Sequence, residues 1–336
     1  MRRRRRIEAV AAVAGALAGT GYALHSVSRR WRAEADALGP DALALPRDVG
    51  HHVVEASDGG RLHTVERGAG PPLVLVHGVT LAAGVWAPQL AALGGTRRVI
   101  AVDLRGHGES VAGTEGYAFD RMADDLLEVM AARRVAGATL VGHSMGGMVT
   151  LTAGLHRRAE LHRHVDRLVL VATPTGPTVP GPLGVSVGGI VAAAARGALG
   201  QADRRGAPVV PPADLAAWLI RLSFGSRPDP ADMALARSML AAMSPGALAG
   251  LIEPLFTFDV RDELASIDFP TTVVAGRRDL LVAMRTSRHL AAGIPGAGLH
   301  ALAGCGHMIM LERAEELNEL LARSGSELRS AAGVPR

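Results

Sequence analysis

The sequence predicts an α/β fold with a mostly parallel central sheet, helices on both of its faces, and an inserted helical cap. Three observations predict it. Short continuous apolar runs, as strands buried on both faces require, recur along the chain and alternate with helical patterns. One serine, Ser144, sits between Gly142 and Gly146 directly after such a run. The alternation breaks once, over 175–266, where a Pro- and Gly-rich stretch gives way to amphipathic helical spacing. Alternating strand and helix puts helices on both faces of a parallel sheet. With 336 residues the chain can bury a sizeable core around one such sheet and still carry an insertion.

Residues 1–32 form a basic, apolar leader. Arg2 to Arg6 are an unbroken run, and Ala9 to Ser28 contains no Asp, Glu, Lys or Arg. As a helix that stretch would span about 30 Å, the thickness of a bilayer's hydrocarbon core. Its Ala- and Gly-rich composition makes insertion weaker than for a Leu-rich segment. The expectation is a single membrane anchor. A cleaved signal peptide, with Gly21-Tyr22-Ala23 at its cleavage site, and a soluble or peripheral helix are the alternatives. In the anchored reading, Arg2 to Arg6 outweigh Arg29, Arg30 and Arg32, which favours a cytoplasmic N-terminus.

A polar, Pro-containing connector follows over 33–50. The core then begins, with 51–174 as its first part. His51 to Ala56 and Leu62 to Arg67, split by Ser57-Asp58-Gly59-Gly60, read as a hairpin. Buried-strand runs follow at Pro72 to His77, Val99 to Val102, Ala138 to Val141 and Leu168 to Ala172. Helical patterns cover Phe119 to Ala132 and Gly146 to Arg158. The cap, 175–266, turns amphipathic around Asp214 to Ser223 and Ala231 to Met243. The second part of the core, 267–325, brings a strand at Thr271 to Ala275 and a helical stretch from Glu312, before a tail at 326–336.

Composition narrows the function. Hydrophobic residues make up 48% of the chain but aromatic ones only 3%, so Ala, Val, Leu and Gly must fill the interior. The formal charge is +4, and without Arg2 to Arg6 the remainder is close to neutral. A basic face for nucleic acid is therefore not expected. A single cysteine, Cys305, excludes an internal disulfide. No C-x-x-C or H-E-x-x-H pattern occurs, and neither a metal nor a cofactor is expected.

In parallel sheets the functional loops follow the carboxyl ends of strands. After the strand at 72–76 comes His77-Gly78-Val79-Thr80. After 99–102 comes Asp103-Leu104-Arg105-Gly106-His107-Gly108-Glu109-Ser110. Ser144 follows 138–141, in a G-x-S-x-G pattern whose physical meaning is a tight strand-to-helix turn that lifts a hydroxyl above the sheet edge. Gly276-Arg277-Arg278-Asp279 follows 271–275, and Gly304-Cys305-Gly306-His307 lies near the C-terminus.

With these motifs in this order, the chain from about residue 50 to 325 resembles the α/β-hydrolase family, in its esterase- and lipase-like branch. The resemblance rests on V-H-G, D-L-R-G-H-G-E-S, G-H-S-M-G-G and G-H-M-I-M-L-E-R. It implies Ser144 as nucleophile, His307 as its base and Asp279 as the carboxylate that fixes the histidine tautomer. It also implies that the backbone N–H groups of Val79 and Met145 form the oxyanion hole. Asp259, Asp262 and Asp268 are rivals for the acid. Some family members carry that acid after the strand that corresponds here to Leu168–Ala172, where this chain reads Thr173-Pro174-Thr175-Gly176 without a carboxylate. His77 and His107 are expected to brace loops, His143 to line the turn, Asp103 to organise its own loop, and Cys305 to be a small loop residue.

The implied reaction is hydrolysis of a small-molecule carboxylic ester through an acyl-enzyme. Apolar residues of the cap, among them Phe224, Met233, Met239 and Met243, point to an apolar acyl group. Related acyl chemistry by the same three residues (perhydrolysis, C–C bond cleavage, amide hydrolysis) and a non-catalytic binding protein on the same fold are the alternatives. Relatives that use an aspartate nucleophile, the haloalkane dehalogenases and epoxide hydrolases, are disfavoured by Ser144.

Overall fold

A computed structural model of the chain describes residues 44–176, 196–206 and 220–323, together with Arg29. The leader segment Ala9 to Ser28, residues 33–43 of the expected connector, residues 177–195 and 207–219 of the expected cap, and the tail lie outside the described residues. So does most of the helix expected at Asp214 to Ser223. Among the described residues no single helix is long and apolar enough to cross a membrane.

Eight strands form one sheet: β1 (Gly50–Glu55), β2 (Arg61–Arg67), β3 (Pro72–Val76), β4 (Arg98–Val102), β5 (Ala138–His143), β6 (Val165–Val171), β7 (Thr271–Gly276) and β8 (Gly298–Leu302). Their spatial order is β1-β2-β4-β3-β5-β6-β7-β8. β2 pairs antiparallel with both β1 and β4, and every later pairing is parallel. The hairpin expected from Ser57-Asp58-Gly59-Gly60 is the β1–β2 turn, closed by the Ala56 N–H donating to Gly60 O at 2.8 Å.

Alternation inside each strand explains the layers. Seven helices matter to the argument: α1 (Ala87–Leu93), α2 (Phe119–Ala132), α3 (Met145–His156), α4 (Pro230–Ala242), α5 (Pro245–Thr257), α6 (Met284–Gly293) and α7 (Ala314–Ala322). Val74, Val76, Ile100, Leu140, Leu168 and Leu170 bury one face of the sheet with Met122 and Leu126 of α2, Val149 of α3 and Leu290 of α6. Their strand neighbours Leu73, Leu75, Val99, Val141 and Val169 bury the opposite face with Leu90 of α1 and Leu317 of α7. Each of these central strands therefore lacks a polar side, which is why the sequence shows unbroken apolar runs there. α3 is apolar all round, with Met145 through Gly154 buried, because it packs into the centre of the first layer.

Four of the named elements, α1, β8, α5 and α6, go beyond the expected set. β8 carries Gly298 and His300 and is only half-buried, so it lacks the apolar run of a central strand. α5 starts on Ser244, whose hydroxyl accepts the Ala247 N–H at 3.0 Å, and has Pro245 in its first turn. Proline there is a helix starter, since the missing N–H would have had no partner anyway. α6 is short and largely polar, and it packs on β7 through Leu290.

Candidate active site

At the end of β5 the chain turns sharply into α3 through Ser144, whose φ of 52° and ψ of −115° lie where few L-residues go. The turn is tight enough that neither flanking glycine has room for a side chain. A Cβ on Gly142 would come within 2.6 Å of Gly146 O and Gly147 Cα, and one on Gly146 would press on the backbone of Val76 and His77. The Ser144 N–H donates to Val171 O of β6 at 2.9 Å, which ties the turn to the sheet. Met145 opens α3, so its N–H is one of the helix-terminal donors without an intrahelical acceptor.

His307 and Asp279 come together from different loops. His307 Nδ1 donates to Asp279 Oδ2 at 2.9 Å, and both residues are buried. The other carboxylate oxygen, Oδ1, accepts the N–H groups of Leu281 and Val282 at 2.8 Å each. The His307 loop is itself pinned, its N–H donating to Ser223 O at 2.8 Å. With Nδ1 engaged, Nε2 is the ring nitrogen left for proton exchange. The other carboxylates are committed elsewhere: Asp259 pairs with Arg261, Asp268 with Arg158 and His162, and Asp262 is exposed.

The loop carrying Val79 is braced from beneath. The Leu104 N–H donates to His77 Nε2 at 3.0 Å, which leaves His77 Nδ1 to donate to Gly78 O at 2.7 Å. The Thr80 N–H donates to His107 Nε2 at 3.3 Å, and His107 Nδ1 donates to Arg105 O at 3.1 Å. Both bonds require a neutral ring with one lone pair free. Burial supplies that condition by lowering both pKa values, that of His107 to about 3. Asp103 fastens the same loop further along, accepting the Ala83 N–H at 2.5 Å, the Glu109 N–H at 3.1 Å and His63 Nδ1 at 2.8 Å. Burial pushes the Asp103 carboxyl up, but the His63 hydrogen bond and the two N–H donors outweigh it and keep the group ionised.

His143 is fully buried beside Ser144, and burial drives its pKa well below the usual histidine value. Its Nε2 donates to His307 O at 3.0 Å, so this ring supports the histidine loop through the backbone. Cys305 is buried, and burial raises its thiol pKa further above neutrality, which disables it as a nucleophile.

Ser144, His307, His143, Gly78 and Val79 share the wall of one cavity of about 380 Å³. Its remaining lining is mainly apolar: Met148, Leu81, Val282 and Met308 from the core, and Ile220, Ala236, Leu240, Leu255 and Phe256 from the segment between β6 and β7. No Asp, Glu, Lys or Arg side chain lines it among the described residues. The sequence pointed to other residues of that segment. Phe224, Met233 and Met243 are buried in the packing instead, and Met239 packs beside them. The signal that identifies the lining was helical but incomplete: Met233, Ala236 and Leu240 lie on one face of α4, and only the last two line the cavity.

The comparisons with known proteins agree with this geometry. A family model described as the alpha/beta hydrolase fold matches residues 71–314. The chain is 32% identical over 278 residues to AB hydrolase superfamily protein YisY of Bacillus subtilis, an alignment covering 81% of this chain and 98% of that protein. The structure of a hydrolase from Pseudomonas aeruginosa is 28% identical and superposes with a TM-score of 0.67, over 80% of this chain and 96% of the other. A thermophilic esterase from Thermogutta terrifontis is 25% identical with a TM-score of 0.69, over 84% and 99%.

Proposed function

The chain belongs to the alpha/beta hydrolase fold family, and from that premise we propose that it is a serine hydrolase cleaving carboxylic esters with an apolar acyl group. Ser144 Oγ attacks the ester carbonyl carbon while His307 Nε2 takes the hydroxyl proton. Asp279 holds the imidazole in the required tautomer and stabilises the imidazolium that forms. The carbonyl oxygen, now an oxyanion, is met by the N–H groups of Met145 and Val79, each such donor contributing about 3 kcal/mol to the transition state. The tetrahedral intermediate collapses, the C–O bond to the alcohol breaks, and His307 returns the proton to the leaving oxygen. Water, deprotonated by the same His307, then attacks the acyl-enzyme and releases the acid and Ser144.

The observation that carries this reading is the His307–Asp279 hydrogen bond beside an apolar cavity lined by both His307 and Ser144. An uncharged lining favours a hydrocarbon chain over a phosphate or carboxylate, and each methylene it buries contributes up to about 0.8 kcal/mol. Two features of the relatives point the same way: the Thermogutta protein is described as an esterase, and the Pseudomonas protein as a hydrolase.

A series of p-nitrophenyl esters from acetate to dodecanoate tests the substrate class, run on wild type and on Leu240→Trp. We expect kcat/KM to rise from acetate to medium chain lengths, and the variant to lose the medium-chain gain while keeping acetate hydrolysis. A steep preference for acetate or for a charged acyl group contradicts the apolar-pocket reading, and turnover of amides above esters would move the reaction to amide hydrolysis.

A further inference from the structure

Away from the cavity, at the opposite edge of the sheet, three side chains converge that the hydrolytic chemistry leaves unused. His51 stands on the edge strand β1, His63 on β2, and Glu109 in the loop after β4. Val53 pairs with His63 and His51 with Val65, so the two histidines lie diagonally on one face of the hairpin. Their rings stack with centroids 5.1 Å apart, and His51 Nδ1 lies 2.9 Å from His63 Nε2. Glu109 Oε2 lies 3.8 Å from the same His63 Nε2. One ligand atom from each residue falls within 4.8 Å of the other two.

We propose that His51 Nδ1, His63 Nε2 and the Glu109 carboxylate form a divalent-cation site, with Zn²⁺ the ion that fits it best, on the edge of the sheet. Two nitrogens and one carboxylate oxygen, with a fourth position open to water, make a donor set that suits zinc. A tetrahedral ion with Zn–N bonds near 2.05 Å holds its ligand nitrogens about 3.3 Å apart. The two ring nitrogens here, at 2.9 Å, need to part by only a few tenths of an ångström. Glu109 needs to close on His63 by a similar amount from 3.8 Å, and its oxygen lies within 4.8 Å of the His51 nitrogen.

The surroundings prepare the site. His63 Nδ1 is held by Asp103 Oδ2 at 2.8 Å, which fixes the proton on that nitrogen and turns the lone pair of Nε2 outward. A carboxylate behind a ligating histidine is the arrangement that orients such ligands and raises their basicity. Ser110 locks the Glu109 loop onto β2, accepting the His63 N–H at 2.8 Å and donating to Asp103 O at 2.7 Å. Without the ion, the His51 Nδ1–H donates to His63 Nε2. On binding, His51 moves its proton to its own Nε2 by exchange with solvent, any proton on His63 Nε2 is lost to solvent, and both lone pairs face the metal. His51 and Glu109 are exposed, so an ion reaches the site from solvent. It would staple the edge strand to the loop of Asp103, whose other oxygen holds Ala83 just past the Val79 loop.

The test uses the full chain, stripped with a chelator and titrated with Zn²⁺ and with Co²⁺ as a spectroscopic replacement. The expected result is one Zn²⁺ per chain in competition with a chromophoric chelator, intense visible absorption from four-coordinate Co²⁺, and a rise in Tm with Zn²⁺. His51→Ala should weaken Zn²⁺ binding about 100-fold and Glu109→Gln about 10-fold, and both should lose the Tm rise. Both residues are exposed, and their circular dichroism should match wild type. His156→Ala, at a separate surface histidine, should bind as wild type does. The proposal is overturned if the chain shows no saturable binding below about 100 µM Zn²⁺, or if binding survives His51→Ala and Glu109→Gln unchanged.

Discussion

His307 Nδ1 lies 2.9 Å from Asp279 Oδ2, and the second oxygen of that carboxylate is occupied by the N–H groups of Leu281 and Val282. The carboxylate thus cannot swing away from the ring without breaking two backbone bonds. Replacing it with an amide leaves the shape but offers the ring a donor where it needs an acceptor. Asp279→Asn should therefore hold the wrong histidine tautomer and lower kcat by about 10³–10⁴ at pH 7. Steady-state kinetics on an ester, with circular dichroism unchanged, checks this. A loss smaller than tenfold would show that Asp279 does not serve the base.

Arg105, in the loop after β4, is fully buried and makes a bidentate pair with Asp125 at 2.6 and 2.7 Å, with a further bond to Asp58 at 3.0 Å. Its N–H groups also reach Gly116 O at 2.6 Å. Removing it leaves Asp125 with Arg121 alone and the Asp58 carboxylate with no cation, only the N–H groups of Gly60 and Glu115. Arg105→Ala should cost about 3–5 kcal/mol of unfolding free energy in urea titrations. A cost below about 1 kcal/mol would mean the carboxylates find water or another partner.

Asp232 on α4 is buried near Asp229 and Glu312, and burial together with those charges raises its pKa to about 7 from 3.8. A carboxyl group with a raised folded-state pKa binds its proton more tightly in the folded chain. The stability this provides is complete below about pH 4 and is lost as pH rises through about 7. Wild type should therefore lose on the order of 2–4 kcal/mol relative to Asp232→Asn between pH 4 and pH 8. Urea titrations of both proteins at several pH values measure that difference, and a gap that stays constant or shrinks with rising pH contradicts a neutral Asp232.

How much of this was legible in the sequence varied with the kind of signal. Strands buried on both faces, such as Pro72–Val76 and Thr271–Gly276, announce themselves as unbroken apolar runs. The bend at Ser144 is written in the two glycines that clear room for it. His77, His107 and Asp103 could be assigned to loop bracing, but which N–H each one meets depends on how three loops stack, which no local spacing encodes. The cavity wall was the least legible part. Leu240 and Met233 are equally apolar and share a face of α4, and only their positions along the helix, two turns apart, send one to the cavity and the other into the packing. The His51–His63–Glu109 cluster was invisible for the same reason, since β-pairing and a loop bring together residues too far apart in sequence to form a metal motif.

The most direct test of the central claim is where a fluorophosphonate attaches. Such a reagent phosphonylates a serine only when a base has activated its hydroxyl. Incubated with the protein and analysed by peptide mass spectrometry, it should modify Ser144, with loss of ester hydrolysis in parallel, and Ser144→Ala should take up no label while keeping its fold. Labelling of Ser144→Ala at the wild-type rate, or full ester hydrolysis by that variant, would contradict the account.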